Sequence, residues 1–142
     1  MHKIIEDCLL IMQHKIVGEI SIIKEFKDKV CLVHANIGEL QQVILNLLSN
    51  ALDFIDDHGI IRIKTLNEAD KCTICIEDNG SGIPKEHLNK VFEPFFTTKT
   101  FGQGTGLGLS MVYSIIKKHH GEIKIESEVD QGTKVTLSIP NE

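Results

Sequence analysis

Two asparagines spaced four residues apart, Asn46 and Asn50, are of a type and spacing that indicate chemistry. In a helix of about 3.6 residues per turn they share one face, and Asp53 and Phe54 extend the same stripe. An adjoining apolar stripe would face the core, and it consists of Leu40, Ile44, Leu47, Ala51 and Ile55. Asparagine is a poor helix former, so two on one stripe call for a reason. Their carboxamide oxygens suit Mg²⁺, which usually takes few protein ligands and completes its shell with phosphate and water. Two solvated amides are the alternative.

A carboxylate followed by two glycines forms the second constellation, made of Asp78, Gly80 and Gly82, with Ile83 next. Asp78 can accept a hydrogen bond from an exocyclic amine. Because glycine has no Cβ, a flat ring can approach the backbone there. A tight Asn-Gly turn is the alternative, but it would explain only Asn79 and Gly80. The spacing favours a pocket for a planar ring that carries an amine.

Alternating glycines lie in residues 101–110 (FGQGTGLGLS), directly before a helical pattern. Glycine N–H groups can approach a ligand closely, and a helix N-terminus adds unpaired donors and partial positive charge. This combination suits a phosphate, and Lys99 is placed to reach the same group. The alternative is a flexible linker of similar composition. No Gly-Lys-Ser/Thr follows the glycines, so this is not a P-loop.

Hydrophobic periodicity indicates the elements that must position these residues. It predicts helices at 3–17, 38–55, 84–90 and from 106 to 121, strands at 19–26, 29–34, 60–67, 71–78, 122–128 and 132–139, and a long loop at 91–105. Strand pairs joined by tight turns favour antiparallel contacts. We therefore expect an α+β fold, with a mixed, mostly antiparallel sheet and about three main helices on one face.

Composition limits the class of protein. The chain has 142 residues, a net charge of −5 and no basic run longer than Lys117-Lys118, which argues against nucleic acid as the main partner. It contains no apolar run of the ~20 residues needed to cross a bilayer and no signal-peptide pattern. One domain covering residues 1–142 is expected.

Cysteine usage bears on the compartment. Cys72 and Cys75 lie three apart on a predicted strand and so point to opposite faces, which makes a shared metal or a disulfide between them unexpected. We expect these two, together with Cys8 and Cys31, to be free thiols that are buried or half-buried. Free thiols fit a reducing cytoplasm, so the predicted location is cytoplasmic.

Four motifs, in order, resemble the N, G1, F and G2 boxes of the sensor histidine kinases. They are Asn46-x3-Asn50-Ala-x2-Phe54, Asp78-x-Gly-x-Gly82, Phe92-Glu-Pro-Phe-Phe96 and Gly104-Thr-Gly-Leu-Gly-Leu109. From about residue 20 onward the chain resembles the catalytic ATP-binding domain of that family, within the wider group that includes gyrase, MutL and the heat-shock chaperone ATPases. The resemblance implies a two-layer α/β sandwich.

The resemblance also implies a role for each matching position. Asn50 would ligate Mg²⁺, and the catalytic residues would be Asn46, beside the phosphates, and Lys99. Residues 95–106 would form an ATP lid. The implied nucleotide-binding set is Asn46, Asn50, Phe54, Asp78, Gly80, Gly82, Ile83, Lys99, Gly104, Thr105, Gly106, Leu107 and Gly108, with Asp78 accepting from the adenine amino group and Phe54 packing on adenine.

Two features depart from the family pattern. Asp53 stands where many members carry a phosphate-contacting lysine. Its side chain would point away from the site, order water around Mg²⁺, or leave Lys99 as the main cation. The sequence does not distinguish these three alternatives. No segment resembles the phosphoacceptor box, and all seven histidines are interpreted as ordinary surface or packed residues. We therefore interpret helix 3–17 as the end of a linker from a phosphoacceptor helical domain that this chain lacks.

The resemblance implies that the chain binds Mg²⁺-ATP and donates the γ-phosphoryl group to a histidine on a separate dimerisation and phosphoacceptor domain. This would be one step of a two-component system with a response regulator downstream. The domain alone would be monomeric and the full kinase a homodimer, with any membrane anchor in other segments.

One alternative is a stand-alone serine kinase of the anti-sigma type, which the Phe92–Phe96 segment argues against. Another is an ATP-driven clamp, disfavoured because Asn46 cannot act as a general base. A third is a nucleotide-sensing module, which Asp53 alone favours.

Overall fold

A computed structural model describes residues 1–16, 18–28, 30–55, 58–93 and 108–141. In chain order its elements are α1 (His2–Ile11) followed by a 3₁₀ turn (Met12–Lys15), β1 (Glu19–Phe26), α2 (Ile37–Phe54), β2 (His58–Asn67), β3 (Lys71–Asp78), α3 (Lys85–Leu88), α4 (Gly108–Lys118), β4 (Glu122–Glu128) and β5 (Gly132–Pro140). No helix in these ranges is long and apolar enough to span a membrane.

The described strands form one five-stranded sheet in the order β1-β2-β3-β5-β4. β1 pairs with β2 in parallel, and the remaining pairs are antiparallel. The expected mixed, mostly antiparallel sheet is thereby confirmed. β3 is the central strand, and its last residue, Asp78, lies between Ile61 on β2 and Thr133 on β5.

The core lies between the helices and one face of the sheet. The predicted apolar stripe of α2 is buried in full, and it consists of Leu40, Ile44, Leu47, Ala51 and Ile55. It packs in one cluster with inward-facing isoleucines of the central strands, such as Ile63 and Ile74, both fully buried. Each such side chain contributes roughly 1.5–3 kcal/mol of transfer free energy. This core fixes the face of α2 that carries Asn46 and Asn50.

Helix α2 is held at both ends. At its start, Asn36 Oδ1 accepts a hydrogen bond from the backbone N–H of Glu39 at 3.0 Å, a standard N-cap. At its end, the carbonyl oxygen of Phe54 accepts from Ser81 N–H at 3.0 Å, in the loop that follows β3. The helix that carries the two asparagines is thus joined directly to the glycine loop after Asp78.

The predicted strand at Lys29–His34 is wrong. Within the described residues 30–36 the chain has no regular hydrogen-bonded structure, with Leu32 exposed and Cys31 buried. The alternation of apolar and polar residues produced the strand-like pattern, but the sheet of the described residues does not include this segment, and the outer edge of β1 is left unpaired there. It connects the sheet edge to the N-cap of α2.

The prediction of four free thiols is wrong for two of them. Cys31 and Cys72 form a disulfide with Cα atoms 5.8 Å apart, within the usual range, whereas Cys8 and Cys75 are free and buried. The spacing argument considered only Cys72 and Cys75, which are indeed not bonded to each other. The actual partner of Cys72 is 41 residues away in the chain, so local spacing carried no signal for it.

Candidate functional site

A pocket opens between α2 and the end of the sheet at which β3 terminates. It encloses about 370 Å³ of empty space, part of it open to solvent. Its lining residues are Leu47, Asn50, Ala51, Phe54, Ile76, Asp78, Ile83, Leu109, Ile125, Thr133 and Val135. The walls are mainly apolar, and a few polar groups face them, which is the usual character of a small-molecule site.

Asp78 is the buried carboxylate of this pocket, with 7% of its surface exposed. Its Oδ1 accepts from Gly80 N–H at 2.8 Å, and the backbone of Thr133 also hydrogen-bonds the carboxylate. Burial raises the pKa of Asp78; these two hydrogen bonds oppose that rise, and nearby Glu77 adds to it. The side chain is therefore anchored from both neighbouring segments, leaving remaining acceptor capacity for a ligand.

The two glycines after Asp78 are required by close backbone approach. A Cβ on Gly80 would meet the carbonyl group of Phe54, and one on Gly82 would meet the carbonyl of Glu128, the last residue of β4. Gly82 also has φ = +75°, which favours glycine. Both glycines let the loop lie flat between α2 and the turn. Only Asp78 and Ile83 of this predicted constellation line the pocket itself.

The structure brings Asn46 close to the end of the glycine-rich stretch. A Cβ built on Gly108, the first residue of α4, would lie 3.7 Å from Asn46 Oδ1. One turn further along α2, Asn50 lines the pocket, and Phe54 lines it a turn beyond. The predicted stripe on α2 therefore runs from the start of α4 to the pocket. Asp53 is exposed and is not among the residues that line the pocket.

Part of the predicted site lies outside the described residues. Lys99, Gly104, Thr105, Gly106 and Leu107 fall there, as do residues 95–106 that were interpreted as a lid. Of the phenylalanine segment, Phe92 is described. Its ring centroid lies 5.3 Å from that of Tyr113 on α4, whose side chain is 40% exposed.

Sequence reasoning missed several pocket residues. Leu47 and Ala51 were assigned to the core stripe, although they also line the pocket. Thr133 and Val135 on β5 were not singled out, and neither was Ile125 on β4. Of these residues, only Thr133 could have been noticed in the sequence, as a hydroxyl residue directly after a glycine. Its link to the site follows from the β3–β5 register, which places it opposite Asp78.

Comparisons with known proteins agree with this geometry. A family model described as "Histidine kinase-, DNA gyrase B-, and HSP90-like ATPase" matches residues 35–142. Sensor kinase CckA of Brucella abortus is 45% identical over 123 residues, which cover 76% of this chain and 13% of CckA. The histidine-protein kinase AtoS of Escherichia coli is 37% identical over 142 residues, covering 99% of this chain and 23% of AtoS.

Solved structures match the whole described fold. The nucleotide-free catalytic domain of histidine kinase ThkA superposes with a TM-score of 0.89 at 33% identity, covering 99% of this chain and 92% of that domain. ThkA in complex with the response regulator TrrA matches with a TM-score of 0.85 at 28% identity, and there the coverage of the solved chain is 40%. This chain thus spans the catalytic-domain portion of much longer curated relatives.

Proposed function

The chain belongs to the family of histidine kinase-, DNA gyrase B- and HSP90-like ATPases, and on that premise we propose that it binds Mg²⁺-ATP and donates the γ-phosphoryl group to a histidine on a separate helical domain. The observation that carries the proposal is the buried carboxylate of Asp78 inside a mainly apolar pocket. A buried carboxylate needs partners. The exocyclic amine of adenine would supply a hydrogen-bond donor to Asp78 in addition to those of the backbone.

The apolar walls support binding of the base. Phe54 and Ile83 lie on the same pocket as Asp78, so a planar ring that meets the carboxylate would contact both side chains. Gly80 and Gly82 would serve the base by holding the loop flat rather than by lining the pocket. Burying a ring between apolar side chains contributes roughly 25 cal/mol per Å² of apolar area removed from water.

The phosphate end would lie towards the start of α4. Gly108 lies beside Asn46, where a Cβ would make only ordinary contact with the carboxamide, and Asn50 lies one turn away. The described residues contain no cluster of three or more His, Cys, Asp or Glu that could hold a metal. A carboxamide and phosphate oxygens are the donor set that suits Mg²⁺, so we assign Asn50 as its protein ligand. The ion would neutralise phosphate charge, and we propose Lys99 and Gly104–Gly108 as further phosphate contacts.

Phosphoryl transfer asks the protein for positioning and charge neutralisation more than for covalent chemistry. Asn46 would position the phosphates, since an amide cannot act as a general base. The acceptor imidazole would come from another domain. The half-buried Phe92 packs against the exposed Tyr113 in the middle of α4, and this pair is a suitable contact for that domain.

We further propose that residues 1–142 act as one catalytic domain, monomeric alone and part of a homodimer in the full kinase. Residues 1–17 would end the linker from the phosphoacceptor domain, and a response regulator would receive the phosphoryl group next. The reaction uses ATP, which favours a cytoplasmic location for this domain.

The direct test is transfer to a separate acceptor. The chain is mixed with γ-labelled ATP, Mg²⁺ and the histidine-bearing helical hairpin of a candidate parent kinase. Acid-labile label on the hairpin is expected. ATP binding without transfer to any such hairpin would favour a nucleotide-sensing module instead, and acid-stable label on serine would favour a serine kinase.

The metal assignment has its own test. Asn50→Ala should lose the Mg²⁺-dependent part of ATP binding, measured by titration calorimetry with and without EDTA. The matched control is Asn89→Ala, which removes an exposed asparagine after α3. Normal Mg²⁺ dependence in Asn50→Ala would reject Asn50 as the ligand.

A further inference from the structure

Ser127 on β4 lies behind the pocket and makes three hydrogen-bonded contacts through one hydroxyl group. Its Oγ lies 2.7 Å from the backbone nitrogen of Ile83, 2.8 Å from the carbonyl oxygen of Gly132 and 2.8 Å from Oγ1 of Thr133. Ile83 and Thr133 line the pocket, but Ser127 does not. The serine therefore touches two pocket residues without contacting the ligand space.

The direction of each hydrogen bond follows from counting protons. A serine hydroxyl has one proton to donate and two lone pairs that can accept. The Gly132 carbonyl can only accept and the Ile83 N–H can only donate, so the proton of Ser127 goes to Gly132 and one lone pair receives Ile83. The hydroxyl of Thr133 must then donate its own proton to the remaining lone pair of Ser127. Every hydrogen-bonding position of Ser127 is filled.

This arrangement leaves Thr133 with no proton for a ligand. Once its hydroxyl proton is given to Ser127, Oγ1 of Thr133 can take part in any further hydrogen bond only as an acceptor. Thr133 lies directly opposite Asp78 in the β3–β5 register, and its backbone already hydrogen-bonds that carboxylate. The side chains of both residues at this end of the pocket thus offer acceptors and no donor.

We propose that Ser127 is a positioning residue that sets the base preference of the pocket by holding the Thr133 hydroxyl as an acceptor beside Asp78. Such a pair suits a purine with an amino group at position 6, which has two N–H donors. It disfavours a purine with an oxo group there, because two acceptors would face a third. The inference rests on the proposed nucleotide function and assigns a residue outside the pocket to its selectivity.

Removal of the serine hydroxyl should change selectivity more than affinity. In Ser127→Ala the proton of Thr133 is released, and its hydroxyl can rotate to donate to a 6-oxo group. Inosine triphosphate is the probe, because it differs from ATP only in carrying the oxo group in place of the amino group together with a proton on N1. One neutral hydrogen bond gained or lost corresponds to a change of roughly three- to tenfold in the ratio of the two dissociation constants. We expect the preference for ATP to fall by about that factor.

A double-mutant cycle separates positioning from general damage. Thr133→Val keeps the shape of the side chain but removes its hydroxyl, and it should also reduce the preference for ATP. Adding Ser127→Ala to Thr133→Val should then leave the ratio of dissociation constants unchanged, because Ser127 acts on that ratio through Thr133. Ser127→Thr, which keeps a hydroxyl, should restore the preference. Ser138→Ala on β5 is the control, since Ser138 is not among the pocket residues.

The outcomes distinguish this inference from the proposed function. Equal weakening of ATP and inosine triphosphate binding in Ser127→Ala would mean that the serine only supports the fold, and it would overturn the inference alone. Equal binding of both nucleotides by the wild-type chain would do the same while leaving ATP binding intact. Failure of the wild-type chain to bind either nucleotide would reject the proposed function and the inference with it.

Discussion

The Nε2 atom of His119, just beyond the C-terminal end of α4, lies 3.4 Å from Oε2 of Glu39 in the first turn of α2. The same nitrogen accepts from the backbone N–H of Asn36, while Nδ1 lies 2.8 Å from the carbonyl oxygen of Ile115. These partners fit the neutral tautomer with its proton on Nδ1. Lys118 adds an ion pair of 2.6 Å to the other oxygen of Glu39. Charged and polar contacts thus join the two helices that carry Asn46 and Gly108.

This junction predicts a pH-dependent contribution of Glu39 to stability. The hydrogen bond from Lys118 lowers the pKa of Glu39, desolvation opposes this, and the charge of Lys118 adds to the lowering. A lowered pKa gives stability that is present above the pKa of the unfolded state, about 4.3, and lost as the pH falls through the folded value. The Glu39→Gln variant should therefore unfold at a lower urea concentration than wild type at pH 7. The difference between the two midpoint concentrations should be smaller at about pH 3. The control is Glu122→Gln at an exposed position of β4. A difference that stays constant across this range would contradict the prediction.

Asp78 should make nucleotide affinity fall in acid. Burial raises its pKa, and protonation would turn one acceptor oxygen into a donor. Affinity for ATP should therefore decrease as the pH falls through that raised pKa. Asp78→Asn should bind about 10- to 100-fold more weakly at pH 7.5, the range for losing a hydrogen bond to a charged group. Calorimetric titration at several pH values measures both effects, and a variant with unaltered affinity would remove Asp78 from the site.

The same raised pKa has the opposite sign for stability. A carboxyl whose folded pKa exceeds its unfolded value contributes stability below the unfolded pKa, and this contribution is lost as the pH rises through the folded value. The unfolding free energy of wild type relative to Asp78→Asn should therefore decrease between acidic and neutral pH. Urea denaturation at matched pH values tests it. A relative stability that increases with pH would mean that the hydrogen bonds from Gly80 and Thr133 outweigh burial.

The surroundings of the backbone predict different effects on stability when Gly82 and Gly108 are each replaced by alanine. Gly82→Ala should cost about 1–2 kcal/mol from the left-handed backbone alone, with more from contact with the Glu128 carbonyl. Gly108→Ala meets only ordinary contact, 3.7 Å from Asn46 Oδ1, and should leave the unfolding free energy unchanged or slightly higher, since alanine favours helix. If denaturation curves showed equal losses for the two variants, the distinction drawn from backbone geometry would be wrong.

The sequence predicted elements best where local pattern and final environment agree. β1, β3 and β4 have the predicted bounds, and the α2 stripe from Leu40 to Ile55 is buried as expected. Alternation and helical period report which side of an element is apolar, and the core uses those sides. The four motifs further predicted Asn50, Phe54, Asp78 and Ile83, and the pocket brings these together.

What escaped the sequence depends on contacts between distant segments. Cys31 meets Cys72 only because the fold brings the segment before α2 next to the start of β3. Ser127 and Thr133 become a pair because β4 and β5 close as a hairpin, and Thr133 reaches Asp78 because β5 inserts beside β3. Periodicity within one segment carries no information on such pairings. Residues that act through a neighbour therefore need the fold before they can be recognised.

The ring of Tyr113 should matter for phosphoryl transfer and not for ATP binding. It is 40% exposed, it lies 5.3 Å from the ring of Phe92, and Lys117 Nζ lies 5.5 Å from its centre. It is not among the pocket residues. Aromatic side chains that stay exposed are frequent anchors of protein interfaces, and their truncation often costs 2 kcal/mol or more, roughly 30-fold in affinity.

Tyr113→Ala should therefore slow label transfer to a separate histidine-bearing hairpin at low hairpin concentration. Its dissociation constant for ATP should equal that of wild type, and saturating hairpin should restore the rate. Lys124→Ala on β4 is the exposed control. Unchanged transfer at every hairpin concentration would exclude this aromatic pair from the acceptor interface.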